Sequence, residues 1–204
     1  MALAQPADLV RNLDALLTAA ERERAARLKR PGATARWTVA RAGLRILLGA
    51  RTGLLPDEVE LEIGPHGKPE LCATRLCFNL THSGDVALVA LADDVEVGID
   101  VERAGRSTAA IERTLSAGER ASGHDLLQIW CRKEALAKAM GGGLQWKPQD
   151  FDTTAPRGHV LADLPLDGGY VGALAVAGDD AAFTLHRLAF RRSVSTRASA
   201  DRRG

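Results

Sequence analysis

Apolar and polar residues alternate without a break over residues 95–102. Val95, Val97, Ile99 and Val101 stand against Glu96, Gly98, Asp100 and Glu102. A period of two is the signature of a strand and gives each set its own face. The apolar set suits a core. The other set carries Asp100 and Glu102, with Gly98 leaving space beside them. Same-face neighbours lie about 6–7 Å apart at a rise of about 3.3 Å per residue. Such a pair is most simply a solvated acidic strand face. It is also a spacing at which two carboxylates can ligate one hard cation through oxygen.

Helical patterning brackets this strand on both sides. Thr18 and Glu21 form a capping box, which predicts a helix to about residue 30, stopped by Pro31 and Gly32. A second helix is predicted from 34 to about 50. Its Arg36, Arg41 and Arg45 form either a solvated basic stripe or a row aimed at phosphates. Residues 1–16 are weakly patterned, and Leu9, Val10, Leu13, Leu16 and Leu17 suit either a helix or a segment laid along the body. A short strand is expected at 59–63, after Pro56, followed by a turn at 64–69 rich in glycine and proline. Strands at 76–81 and 86–91, with turns at 82–85 and 92–94, make an antiparallel meander with 95–102. His82 and Ser83 fall in the first of those turns. A lone histidine there is more often structural than functional.

The second half begins like the first. Ser116 and Glu119 repeat the capping box ninety-eight positions on, and Trp130 follows as Trp37 does. This faint duplication predicts two similar lobes with a cleft between them. A helix is expected from about 125 to 140, with Trp130, Glu134 and Lys138 on one face. The bland reading of the last two is an exposed ion pair worth about 0.2–0.5 kcal/mol. Gly141, Gly142 and Gly143 end that helix. The remainder reads as strands at 157–161, 169–177 and 181–189, the last two joined by a turn at 178–180.

Composition narrows the choice. The chain has 204 residues, 46% hydrophobic but only 4% aromatic, so Ala and Leu must fill most of the core. A net charge of +1 argues against a dedicated nucleic-acid binder. Residues 191–204 form a basic tail with almost no apolar content, which predicts no fixed structure. Cys72, Cys77 and Cys131 have no metal spacing and read as reduced cytoplasmic thiols. No N-terminal stretch resembles a signal peptide, and no apolar run is long enough to span a bilayer. A soluble, cytoplasmic protein with no membrane partner is expected.

Four motifs occur in one order: HGKP (66–69), FNLTHSG (78–84), GIDVE (98–102) and WCRKEALAKAMGGGL (130–144). Together they resemble the 4′-phosphopantetheinyl transferases of the larger, two-lobed, Sfp-like type, over nearly all of residues 17–190. The pair GIDVE and WxxKEAxxK is its most specific part. The resemblance implies an α+β pseudo-dimer of two similar lobes, each an antiparallel sheet packed with helices, with the active site between them. The lobes would be 1–94, on the coenzyme A side, and 95–190, carrying the metal and the helix of Glu134. A monomer is then expected. It also implies transfer of the phosphopantetheine arm of coenzyme A to a serine of an apo acyl or peptidyl carrier protein, with Mg2+ (or Mn2+) as cofactor.

By the same resemblance, Asp100, Glu102 and Glu134 match the metal ligands. Glu134 is also the candidate general base, directly or through water, and Lys138 faces the phosphate. His82 and Ser83, Lys68, Arg36, Arg41 and Arg24 match coenzyme A contacts. Glu70 departs from the pattern, because many relatives carry an aromatic after the Gly-Lys-Pro. A metal-dependent nucleotide pyrophosphohydrolase using the same acids, and a non-catalytic module binding coenzyme A or a carrier protein, are the two other readings.

Overall fold

The computed structural model describes residues 1, 5–64, 67–71, 74–141, 147, 149 and 151–190. The tail at 191–204, Cys72, His66, Gly142 and Gly143 lie outside the described residues. The chain runs α1 (Ala7–Asp14), α2 (Ala19–Ala26), α3 (Ala33–Thr52), β1 (Leu61–Ile63), β2 (Pro69–Leu71), β3 (Leu76–Ser83), β4 (Val86–Asp93) and β5 (Val97–Arg103). A 3-10 turn (Ile111–Thr114), α4 (Ala117–Ser122), α5 (Leu126–Ala139), β6 (His159–Leu164) and β7 (Tyr170–Ala177) follow. This is an α+β fold with every described strand pair antiparallel.

Both capping boxes form. Thr18 and Glu21 exchange their two bonds at 2.9 and 3.3 Å, and Ser116 and Glu119 at 2.8 and 3.0 Å. Each satisfies two of the amides that a helix start leaves orphaned. α3 is the central helix of the first half. It starts and stops at Gly32 and Gly53, both left-handed, a conformation that costs glycine little. One side of α3 packs Val39, Ala40 and Ala42 against Leu13 and Leu17, so the apolar pattern of residues 9–17 belongs to α1 and its exit. Another side packs Leu44 and Leu48 against Val59 and Phe78. Alanine and leucine do supply much of the core, as the scarcity of aromatics requires.

The meander stops at its first hairpin. β3 and β4 pair only with each other, while β5 joins a sheet of order β5-β7-β6. Both strands of the hairpin run two residues longer than the pattern implied, so His82 and Ser83 lie on β3 and not in the turn. The second hairpin is also shifted. β6 pairs with β7, and residues 181–189 form no strand. The cause is topological: β7 is the central strand, with β5 and β6 on its two sides, so β7 has no edge left on which residues 181–189 could form a hairpin. No described helix is long and apolar enough to cross a membrane.

Candidate active site

β5 is buried on both faces. Val97, Ile99 and Val101 pack against Leu88, Leu164 and Leu174. The opposite face meets α5, and a Cβ on Gly98 would sit 2.0 Å from the carbonyl oxygen of Ala135 and 2.4 Å from the amide nitrogen of Ala139. The space beside Asp100 is thus filled by helix backbone, and the acidic face is not a solvated one. Asp100 is 6% exposed.

That close approach brings Lys138 onto Asp100. Its Nζ donates to Asp100 Oδ1 at 2.6 Å and to the Ile99 carbonyl at 3.1 Å. The expected surface pair between Glu134 and Lys138 is therefore replaced by a pair between elements. Thr81 Oγ1 donates to the same Oδ1 at 3.1 Å, and Asp100 Oδ2 is buried with no hydrogen-bond partner. Glu102 accepts from Ser83 Oγ at 3.0 Å through Oε2, and its Oε1 is paired with Arg106. Arg106 also lies over the Trp130 ring, 5.5 Å from its centroid. Thr81 lies within FNLTHSG but drew no role from it, and Arg106 lies in none of the four motifs; the signal at Thr81 is a hydroxyl two places before Ser83 on the same strand face.

Glu134 is half-buried and has no ion pair or hydrogen bond among the described residues. Burial pushes its carboxyl above the ordinary value; Lys138 opposes this, Asp100 adds to it and Arg106 opposes it. Beneath the site, burial, then the Asp100 charge and the closeness of the Asp100 carboxylate, push the Cys131 thiol up, so that it stays protonated; its S–H donates to the Val171 carbonyl at 3.4 Å. Among the described residues, no group of three or more His, Cys, Asp and Glu side chains is placed to hold a metal ion. Two features nevertheless fit a hard cation: the orphaned Asp100 Oδ2, a buried oxygen that costs free energy unless something bonds it, and the unpartnered Glu134.

A cleft of about 1050 Å³ is lined by Lys138 and Gly141. Arg24, Arg41, Lys68 and His82 line it as well. Arg24 is exposed and makes no bond among the described residues. Arg41 gives its Nε to Glu21 at 2.5 Å, leaving the terminal nitrogens of its fork unbonded. Lys68 Nζ donates to Glu96 at 2.7 Å and lies 3.5 Å from the carbonyl oxygens of Val97 and Lys138. Surrounding protein and then the Lys138 charge hold the His82 imidazole below its usual value, in the neutral form near pH 7.

The structure does not bring all the expected residues to the cleft. Arg36 pairs with Asp85 at 3.0 Å, and neither Arg36 nor Ser83 lines it. Arg45 is neither solvated nor aimed at a ligand. It is 2% exposed and gives its donors to Glu21, Pro56 and Val59. The cleft is also lined by Asp57, Glu58, Glu60 and Glu62, which no motif singled out.

Residues 96–165 match the 4′-phosphopantetheinyl transferase superfamily. The span holds β5 and α5, and so Asp100, Glu102, Glu134 and Lys138. The chain is 31% identical to the 4′-phosphopantetheinyl transferase HetI of Nostoc sp., over 86% of this chain and 85% of that protein. It is 35% identical to the 4′-phosphopantetheinyl transferase AcpT of Salmonella typhi, over 60% of this chain and 69% of that protein. The likeness to HetI covers both halves of the fold, so the chain belongs to the 4′-phosphopantetheinyl transferase superfamily.

Proposed function

We propose that the chain moves the 4′-phosphopantetheine arm of coenzyme A to a serine hydroxyl of an apo acyl or peptidyl carrier protein. Adenosine 3′,5′-bisphosphate is the other product. The observation that carries this reading is Lys138, which lines the cleft and is bonded to the buried Asp100. One side chain thereby joins the cleft that Arg24, Arg41 and Lys68 also line to the buried Asp100 carboxylate.

Arg41, Arg24 and Lys68 neutralise the phosphates of coenzyme A, the arginines by the paired donors of their forks. Neutral His82 donates one hydrogen bond to a phosphate oxygen. Asp100, Glu102 and Glu134 would hold Mg2+ or Mn2+, with Glu102 exchanging Arg106 for the ion. The bound cation supplies charge neutralisation at the pyrophosphate. Glu134, with its raised carboxyl, takes the proton of the attacking serine directly or through a water. Lys138 stabilises the charge that develops on the leaving phosphate. Arg36 is assigned to the 3′-phosphate region of coenzyme A. The paired capping boxes support lobes at 1–94 and 95–190, working as one monomeric chain.

The test is intact mass. Apo carrier proteins from fatty-acid, polyketide and peptide pathways are incubated with the protein, coenzyme A and Mg2+. A gain of one phosphopantetheine arm is expected, abolished by EDTA and by Glu134→Ala. Coenzyme A cleaved without a carrier would replace this reading with the pyrophosphohydrolase. Binding of coenzyme A with no gain on any carrier would replace it with a binding module.

A further inference from the structure

β3 and β5 run side by side in the same direction, yet their backbones are not paired. Side chains of β3 span the gap instead. Asn79 Oδ1 accepts from the Ile99 amide at 3.0 Å, Thr81 Oγ1 donates to Asp100 Oδ1 at 3.1 Å, and Ser83 Oγ donates to Glu102 Oε2 at 3.0 Å. Ser83 Oγ also accepts from the Arg103 amide at 3.1 Å. Because both strands repeat every two residues, hydroxyls at 81 and 83 fall opposite carboxylates at 100 and 102.

We infer that Thr81 and Ser83 are positioning residues for the two strand carboxylates, each tying down one oxygen so that the carboxylate has a single orientation. This rests on the proposed role of Asp100 and Glu102 as cation ligands, and it deepens that role. A carboxylate on a strand has a broad terminal torsion, so its aim is set by what it bonds. At Asp100, Oδ1 carries both Thr81 and Lys138, and Oδ2 is left buried and unbonded. The hydroxyl and Lys138, whose Nζ also lies 3.5 Å from Thr81 Oγ1, together leave Oδ2 as the oxygen offered to a cation. At Glu102 the ring of partners is Ser83 on one oxygen and Arg106 on the other. Only the Arg106 side can exchange without breaking the link between the strands. Outer partners of this kind are worth about 10–100-fold in metal affinity.

The experiment titrates Mn2+ into the full chain holding coenzyme A, with no carrier, and reads free Mn2+ by EPR against protein-free coenzyme A. Wild type should bind the ion, and Asp100→Asn should lose it. Thr81→Val should weaken binding by about 10–100-fold, and Thr81→Ser, which keeps the hydroxyl, should restore it. With carrier added, Ser83→Ala should lower kcat while leaving KM for coenzyme A unchanged. Wild-type Mn2+ affinity in Thr81→Val, with binding lost in Asp100→Asn, overturns the positioning role and leaves the ligand role standing. Equal losses in Thr81→Val and Thr81→Ser overturn it too, because the hydroxyl is then not the cause. Equal binding by wild type and Asp100→Asn removes the ligand role itself. A raised KM for coenzyme A in Ser83→Ala returns that residue to substrate contact.

Discussion

The two halves of the molecule open with the same device and use it differently. In each, the third residue of a capped helix is a glutamate whose carboxylate also binds a base on the next long helix. Glu21 holds Arg41 at 2.5 Å and Arg45 at 2.7 Å; Glu119 holds Lys133 at 2.9 Å. Around Glu119 everything is closed. Lys133 also donates to the Phe151 carbonyl at 2.7 Å, Thr153 bonds the carboxylate twice, and the side chains of Glu119 and Lys133 are 0% and 1% exposed. Around Glu21 one base is spent on the fold and the other is not. Arg45 is buried against carbonyls, while Arg41 keeps the free end of its fork at the cleft. The difference lies in the base: lysine brings its whole charge to one point, whereas arginine can anchor with one nitrogen and present two others. One carboxylate therefore makes a strut in the second half and a strut with a cleft-facing end in the first.

The strongest way to break this parallel is Glu119→Ala. It takes the Glu119 carboxylate from the buried Lys133 and removes one of the two capping-box bonds, so a loss of about 3–5 kcal/mol is expected in denaturant unfolding. A loss below about 1 kcal/mol would place the pair among ordinary surface pairs. Arg45→Met should also destabilise, but by less, because an apolar chain of similar volume replaces the buried charge. Arg41→Ala should leave the thermal midpoint nearly unchanged and raise KM for coenzyme A about tenfold, the cost of about 1.4 kcal/mol of lost charge-assisted bonding. If Arg41→Ala unfolds the protein instead, the division of labour between Arg41 and Arg45 is wrong.

Acid should act on both struts alike. Burial works to raise both glutamates, but hydrogen bonds outweigh it and hold both carboxyls below the ordinary value of 4.5. For Glu21 these come from Arg45, the Thr18 amide and Arg41, and for Glu119 from Lys133, Thr153 and Ser116. The unfolded chain then binds more protons than the native one between the lowered values and 4.5. Stability should be complete above 4.5 and fall as pH drops through the lowered values. Urea midpoints measured between pH 6 and 3 check this, and Glu119→Gln should flatten the slope. The smallest effect is expected from Arg36→Ala. Its pair with Asp85 is exposed, so a KM change for coenzyme A larger than that for 3′-dephospho-coenzyme A would be its only mark, and equal changes would remove it from the nucleotide end.

The sequence carried what is local. Both capping boxes, the length of α3, the alternating face of β5 and the shared helix face of Trp130, Glu134 and Lys138 are set by residues within a turn or two of one another. What it did not carry is pairing at a distance. Nothing in residues 86–102 says that β5 leaves β4 for β7, or that β7 is already paired on both sides when residues 181–189 follow it. Arg45 matched Arg36 and Arg41 in spacing, yet its burial depends on carbonyls at Pro56 and Val59, beyond the end of its helix. Lys138 prefers Asp100 to its own helix neighbour because Gly98 lets the helix come down onto the strand, which no spacing along either element reveals.

That last contact has a metrological consequence. Where Gly98 meets the backbone of Ala135 and Ala139, two main chains touch without a side chain between them. The offset between the strand that carries Asp100 and the helix that carries Glu134 and Lys138 is then fixed by bond lengths and atomic radii. Repacking of leucines and valines elsewhere can drift without moving it. The gauge has zero adjustable parts, and a single added methyl at position 98 would reset it.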